Sequence, residues 1–131
     1  MTKTAMEMIG EARSQVGSVS AAQAAAEMSS GQAVFLDVRE PEEWQHGHID
    51  GSVPAPRGLL EFFADPTSPR YKKALDPTHR VIVICASGAR ATLAAATLKQ
   101  MGYQDPVVLD GGLKGWMAAG LPTNEHEYSG I

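Results

Sequence analysis

Cys85 is the only cysteine in the 131-residue chain, and Arg90 follows it after four small residues, Ala86, Ser87, Gly88 and Ala89. A thiol becomes a strong nucleophile when it loses its proton, and a neighbouring cation or a set of backbone N–H groups favours that charged form. The flanks of the loop supply such a setting. Val81 to Ile84 is a short run of β-branched apolar residues bounded by polar ones, which reads as a strand buried on both faces. From Arg90 to Met101 the chain is rich in alanine and leucine, which favours a helix. The first amides of that helix lack intrahelical partners and carry partial positive charge. A tight loop folded over them makes an anion cradle, and Gly88 can take a positive φ if the turn needs one. Read alone, a lone cysteine at a strand end is most often a small packing residue. The loop and Arg90 turn the reading toward a thiolate that attacks or carries something.

Other charged residues gather upstream. Ala33 to Val38 reads as a second buried strand with Asp37 near its C-terminal end. Ligands of open parallel sheets bind outside those ends, which brings Asp37 toward the Cys85 loop. Its carboxylate can accept loop N–H groups or pair with an arginine, and Arg39 reads as a framework ion pair ahead of a substrate contact. Pro41 to Gln45 reads as a short helix with proline at its first position and acids in its first turn. His46 and His48 lack a third ligand at zinc-like spacing, so no metal centre is expected.

The elements that position these groups follow from pattern. Met6, Ile9, Ala12 and Val16 fall at helical spacing, which predicts an amphipathic helix ending near Gly17. It packs on the domain or, as an alternative, on a second copy. Ser20 and Gln23 form a capping-box pattern for a helix ending at Ser29-Ser30-Gly31. Residues 49–54 read as a turn and edge strand. Residues 56–65 read as a helix broken at Asp65-Pro66, with a second short helix over Arg70 to Leu75. Gly102 ends the long helix, Pro106 to Asp110 is another buried strand, Gly111-Gly112 turns, and Leu113 to Ala119 is a last helix with Leu113 and Trp116 as core. The chain from Thr123 is polar and reads as an extended or mobile tail. Alternating strands and helices predict an α/β fold, a mostly parallel sheet of about five strands with helices on both faces and Cys85 at the end of a central strand.

Bulk properties narrow the function. The hydrophobic content of 44% is that of a globular protein, and the length suits one domain. A formal net charge of −4 gives no basic footprint for nucleic acid. One cysteine permits no internal disulfide, which fits a reducing, cytoplasmic setting. No long apolar core follows Lys3 as in a signal peptide, and no stretch approaches a membrane span. Oligomeric state is not legible.

Taken together, the motifs resemble those of the rhodanese family, single-domain sulfurtransferases in particular. The Cys85–Arg90 loop resembles its active-site loop. Asp37-Val38-Arg39-Glu40 with Glu42, Glu43 and Trp44 resembles its first-strand signature, and Gly47-His48-Ile49 with Gly51 and Pro54 its next segment. Gly111-Gly112 with Trp116, then Ala119-Gly120-Leu121-Pro122, resembles its C-terminal signature. The likeness runs from about Val19 to Pro122, so it implies a rhodanese-like three-layer domain over 19–123, a helical extension over 1–18 and a polar tail over 124–131.

The resemblance implies that Cys85 takes the outer sulfur of a donor such as thiosulfate, carries it as a persulfide and yields it to cyanide or a thiol, with no cofactor. Backbone N–H groups of residues 86–90 would steady the charge, and Arg90 would orient the loop or bind the donor's oxygens. Related sulfurtransferases carry an arginine near the pocket mouth, which makes Arg57 a candidate second anion contact; a solvated helix-start charge is the equal alternative. His48 would position the loop before the next strand. The implied partners are a small sulfur-containing anion or persulfide and a sulfur donor or acceptor protein. Many members carry a basic residue after the cysteine where this chain has Ala86, which weakens thiosulfate as the natural donor. Three alternatives stay open: a non-catalytic binding module, a phosphatase or arsenate reductase of related loop design, and a redox sensor built on an exposed thiol.

Overall fold

The computed structural model of the protein describes residues 2–128. Five strands form one parallel sheet: β1 (Gly17–Val19), β2 (Ala33–Asp37), β3 (Val53–Pro54), β4 (Arg80–Ile84) and β5 (Asp105–Leu109), in the order β1-β5-β4-β2-β3. Six α-helices surround it: α1 (Ala5–Arg13), α2 (Ala21–Ser30), α3 (Pro41–Gln45), α4 (Leu60–Ala64), α5 (Ala89–Gln100) and α6 (Gly112–Ala118). A 3₁₀ turn, Arg57–Leu59, leads into α4.

The β-branched strands alternate between two cores, as a period of two requires. On β4, Val81 and Val83 face the core built with α4 and α5, and Ile82 and Ile84 face the core with Phe35, Leu113 and Trp116. Cys85 continues the first set and points toward α5. The chain leaves β2 toward one edge and β4 toward the other. The C-terminal ends of these neighbours therefore form the switch point where parallel sheets open a crevice. Asp37 and Cys85 sit on that edge.

Four expectations need correction. The N-terminal helix stops at Arg13, and Gly17–Val19 forms an edge strand against β5. A short Gly-Ser-Val run carries no period of its own; pairing with β5 makes it a strand. The helix before it packs on α5 and buries Ile9 and Ala12. It also has a full capping box, Thr4 with Glu7, that the pattern reading did not single out, whereas Ser20 has only half of one. Gln23 donates to Glu27 instead of turning back.

Arg70 to Leu75 is not a helix. The Leu75 carbonyl accepts from the hydroxyls of Tyr71 and Tyr103, and Lys72 Nζ donates to the Pro54 carbonyl, so cross-chain bonds replace helical ones. Finally, the tail through Tyr128 is docked. Asn124 and His48 exchange backbone hydrogen bonds of 2.9 and 2.7 Å, and the Tyr128 amide donates to Gln45 Oε1. The remainder of the tail, 129–131, lies outside the described residues. No helix among the described residues is long and apolar enough to cross a membrane.

Candidate active site

The site begins with the sulfur. Cys85 is 1% exposed, so its thiol lies under the loop and is not open to solvent. The exposed thiol of the redox-sensor reading is absent. The loop nevertheless faces the sulfur: the Gly88 N–H donates to Sγ at 3.0 Å and the Ala91 N–H at 3.3 Å. The expected amide set, 86–90, thus narrows to Gly88 and extends one residue beyond Arg90. Gly88 reaches this pose at φ +120°, which an L side chain rarely adopts. Thr92 fixes it further, since its amide and hydroxyl both donate to the Gly88 carbonyl at 2.9 and 2.7 Å. Two N–H dipoles are thus aimed at one buried sulfur.

The start of α6 holds the loop from behind. The Leu113 amide donates to the Cys85 carbonyl at 2.8 Å and the Lys114 amide to that of Ala86 at 3.1 Å. Gly112 permits the approach: a Cβ built on it would lie 2.6 Å from the Ala86 oxygen. Its contribution had no precedent in the motif reading beyond the pair of glycines making a turn.

Arg90 points to Glu43. Its two terminal nitrogens reach the two carboxylate oxygens at 2.7 and 3.0 Å, a bidentate pair across 47 residues of sequence. The bond from Arg90, opposed by partial burial and aided by the Glu40 amide, holds the Glu43 carboxyl down at about 2. The same contact, first among its causes, raises the Arg90 guanidinium above its ordinary value. Glu43 is the neighbour of Arg90 that sequence reasoning did not single out: it figured there as an acid in the first turn of α3 and as one member of the first-strand signature, without a partner.

α3 is itself anchored. Arg39 Nε and Nη2 bind the Asp37 carboxylate at 3.0 and 2.8 Å, and Nη2 also donates to the Gly47 carbonyl at 2.7 Å. Both side chains are buried. This is a buried pair with further hydrogen bonds, the case in which removing one partner is costly. Asp37 and Arg39 therefore brace the segment that carries Glu43, and neither reaches the sulfur. His48 is buried beyond them. Its ring stacks on Trp44 at 3.6 Å, and its nitrogens bind the Trp44 carbonyl and His126 Nδ1.

Arg57 is not brought to the loop. Its guanidinium bonds Glu61 and Thr97 Oγ1, and Thr97 lies about 10 Å along α5 from Arg90 at the helical rise. Of the remaining loop residues, Ala86 lends its carbonyl to α6, Ala89 opens α5, and Ser87 stands at the loop's outer face.

A family model described as a rhodanese-like domain matches residues 20–119. The chain is 33% identical over 82 residues to a putative sulfur carrier protein, YrkF, of Bacillus subtilis, covering 63% of this chain but only 40% of that protein's length. It is 32% identical over 100 residues to the thiosulfate sulfurtransferase GlpE of Stutzerimonas stutzeri, covering 76% of this chain and 84% of the relative. Among solved structures, a Rhodopseudomonas palustris protein described as a possible tyrosine phosphatase superposes with a TM-score of 0.88 at 35% identity, covering 95% of this chain and 96% of the other.

Proposed function

The chain belongs to the rhodanese-like family, and from that premise we propose that it is a sulfurtransferase working through a persulfide on Cys85. The observation that carries the reading is the pair of N–H groups, Gly88 and Ala91, directed at Sγ. Charge stays on sulfur throughout such a cycle, and fixed amides that need no reorganisation suit it. The Cys85 thiolate attacks the outer sulfur of the donor. The donor's S–S bond breaks and its electron pair leaves with sulfite, or with a thiolate if the donor is a persulfide. Cys85 then holds an S–S⁻ group, from which cyanide or a cellular thiol takes the outer atom. No general base is required once the thiol is ionised.

Arg90 acts in this scheme as a positioning residue. Its guanidinium is committed to Glu43, and the pair fixes the first turn of α5 and with it the Ala91 amide. With Ala86 uncharged and Arg90 so engaged, the loop offers little to the oxygens of thiosulfate. That favours a persulfide donor, or sulfur delivered by a carrier protein.

The description of the Rhodopseudomonas palustris relative makes phosphate-ester hydrolysis the second reading. Two features weigh against it. Four residues separate Cys85 from Arg90, one fewer than in the phosphatases of related loop design, so the cradle is tight for a tetrahedral phosphoryl group. A leaving alcohol also needs a proton. Glu43, held down at about 2, has none to give at neutral pH, and Asp37 is bound on both oxygens by Arg39.

Intact-protein mass tests the proposal. Incubation with thiosulfate or a small persulfide should add one sulfur, ~32 Da, that cyanide removes, and Cys85→Ser should gain nothing. Loading of Cys85→Ser, or no loading of the native protein by either donor, overturns it. Cys85-dependent hydrolysis of a generic phosphate ester without sulfur loading would establish the second reading instead.

A further inference from the structure

The docked tail has no part in the persulfide cycle, yet it ends on the helix that carries Glu43. That helix, α3, has five residues and none of them is fully buried. A helix so short is marginal on its own, so its pose must be imposed from outside. Arg39 is one support: its Nη1 donates to the Glu43 carbonyl at 3.4 Å and its Nη2 to the Gly47 carbonyl at 2.7 Å. The tail is the other, and it holds at three points. Asn124 exchanges two backbone bonds with His48. His126 Nδ1 lies 3.1 Å from His48 Nε2. The Tyr128 amide donates to Gln45 Oε1 at 2.9 Å, and its ring meets that of Trp44 edge-on.

The roles within the histidine pair follow from their neighbours. His48 Nδ1 sits 2.7 Å from the Trp44 carbonyl, which can only accept, so Nδ1 carries the proton. In the neutral ring Nε2 is then an acceptor, and His126 donates to it from Nδ1. His48 is 2% exposed whereas His126 is exposed, so a tail side chain 78 residues away satisfies a buried ring. That ring lies flat on Trp44, with centroids 3.6 Å apart and planes 5° apart. Trp44 adjoins Glu43, and Glu43 clamps Arg90 at the start of α5. We propose that His126 is a positioning residue of the sulfur site: by seating His48 against Trp44 it fixes α3, so that Glu43 holds Arg90 and the Ala91 amide stays on Sγ. The role rests on the proposed sulfurtransferase reading. It adds to the site a residue beyond the matched family domain, which ends at 119.

The test follows sulfur loading of the full-length chain by intact mass, at one pH and with one small persulfide donor. His126→Leu should slow loading about fivefold, the equivalent of one hydrogen bond. Leucine cannot donate to His48 Nε2, and its apolar end keeps water from taking the place. His126→Asn should restore loading to within about twofold of native, because its amide N–H springs from the same Cγ as Nδ1 and can donate to Nε2. Both variants remove the ring and any charge on it, so the hydrogen bond is what separates them. A loss of overall stability would add to other losses, whereas a tail that acts through Glu43 would not. His126→Leu combined with Glu43→Gln should therefore load no more slowly than Glu43→Gln alone. His126 is exposed, so the variants fold, and urea unfolding confirms that each is fully native in the assay. Native loading by His126→Leu, equal losses for His126→Leu and His126→Asn, or losses that multiply with Glu43→Gln overturn the positioning role while the persulfide reading stands. Failure of the native protein to load sulfur overturns both.

Discussion

Replacing Gly112 by alanine places a methyl group where the backbone of the sulfur loop already lies. The added Cβ would sit 2.6 Å from the Ala86 carbonyl oxygen and 2.7 Å from that of Cys85, and no real Cβ contact is under 3.0 Å. The obstacle is main chain, so no flexible side chain can swing aside. Relief requires the loop to lift from α6, which stretches the bonds from Leu113 to Cys85 and from Lys114 to Ala86. Gly112 also has φ +60°, a conformation that costs an L residue about 1 kcal/mol. Adding about 1 kcal/mol for each weakened hydrogen bond gives roughly 3 kcal/mol in all. Gly120→Ala is the control. Gly120 has φ +79° with no atom within 4 Å of a built Cβ, so it should lose only the backbone part, about 1 kcal/mol. Urea unfolding measures both losses. Sulfur loading, followed by intact mass where each variant is fully folded, measures the site. Gly112→Ala should load at least about tenfold more slowly, because a displaced loop loses the aim of the Gly88 amide, while Gly120→Ala loads at the native rate. Equal stabilities for the two variants, or native loading by Gly112→Ala, would refute the claim that α6 seats the loop.

Three further outcomes follow from the same contacts. Glu43→Gln and Arg90→Ala should each slow loading, and the double variant should be no slower than the worse single one; additive losses would mean that the two do not act as one clamp. The Glu43 carboxyl titrates lower in the folded chain, at about 2, than its ordinary 4.5. Its stabilisation is therefore complete above about pH 4.5 and drains away as pH falls toward 2. Since the pair is part exposed, this amounts to roughly 1 kcal/mol. The stability gap between native protein and Glu43→Gln should shrink between pH 5 and pH 3, and a gap constant with pH would assign it to packing. Ending the chain after Thr123 removes the Asn124 bridge and the His126 contact, and should cost about 2 kcal/mol for the two backbone bonds and red-shift Trp44 emission. Unchanged stability and emission would show that the tail does not brace His48.

The parallel sheet was legible because its signal is local. Val81 to Ile84 and the strand around Phe35 are apolar on both faces, and only a strand covered on two sides tolerates that. The sulfur loop was legible for a related reason: one thiol, four small residues and an arginine between a strand and a helix leave few conformations, while several uses of that thiol stayed open. Asp37 with Arg39 was also readable, since the partners are two residues apart. Beyond these, sequence distance hides what matters. Glu43 meets Arg90 across 47 residues, Leu113 meets the Cys85 carbonyl, and the tail finds His48. Nothing in the spacing of those residues encodes the meeting. The two donors on the sulfur are backbone amides, which every residue but proline carries, so no side-chain pattern announces Gly88 and Ala91. The sequence by itself singled out the thiol on which the proposed chemistry rests. Only the packed chain decided which dipoles face that thiol and where Arg90 and Arg57 spend their charge, because each depends on the relative placement of elements that local patterning cannot specify.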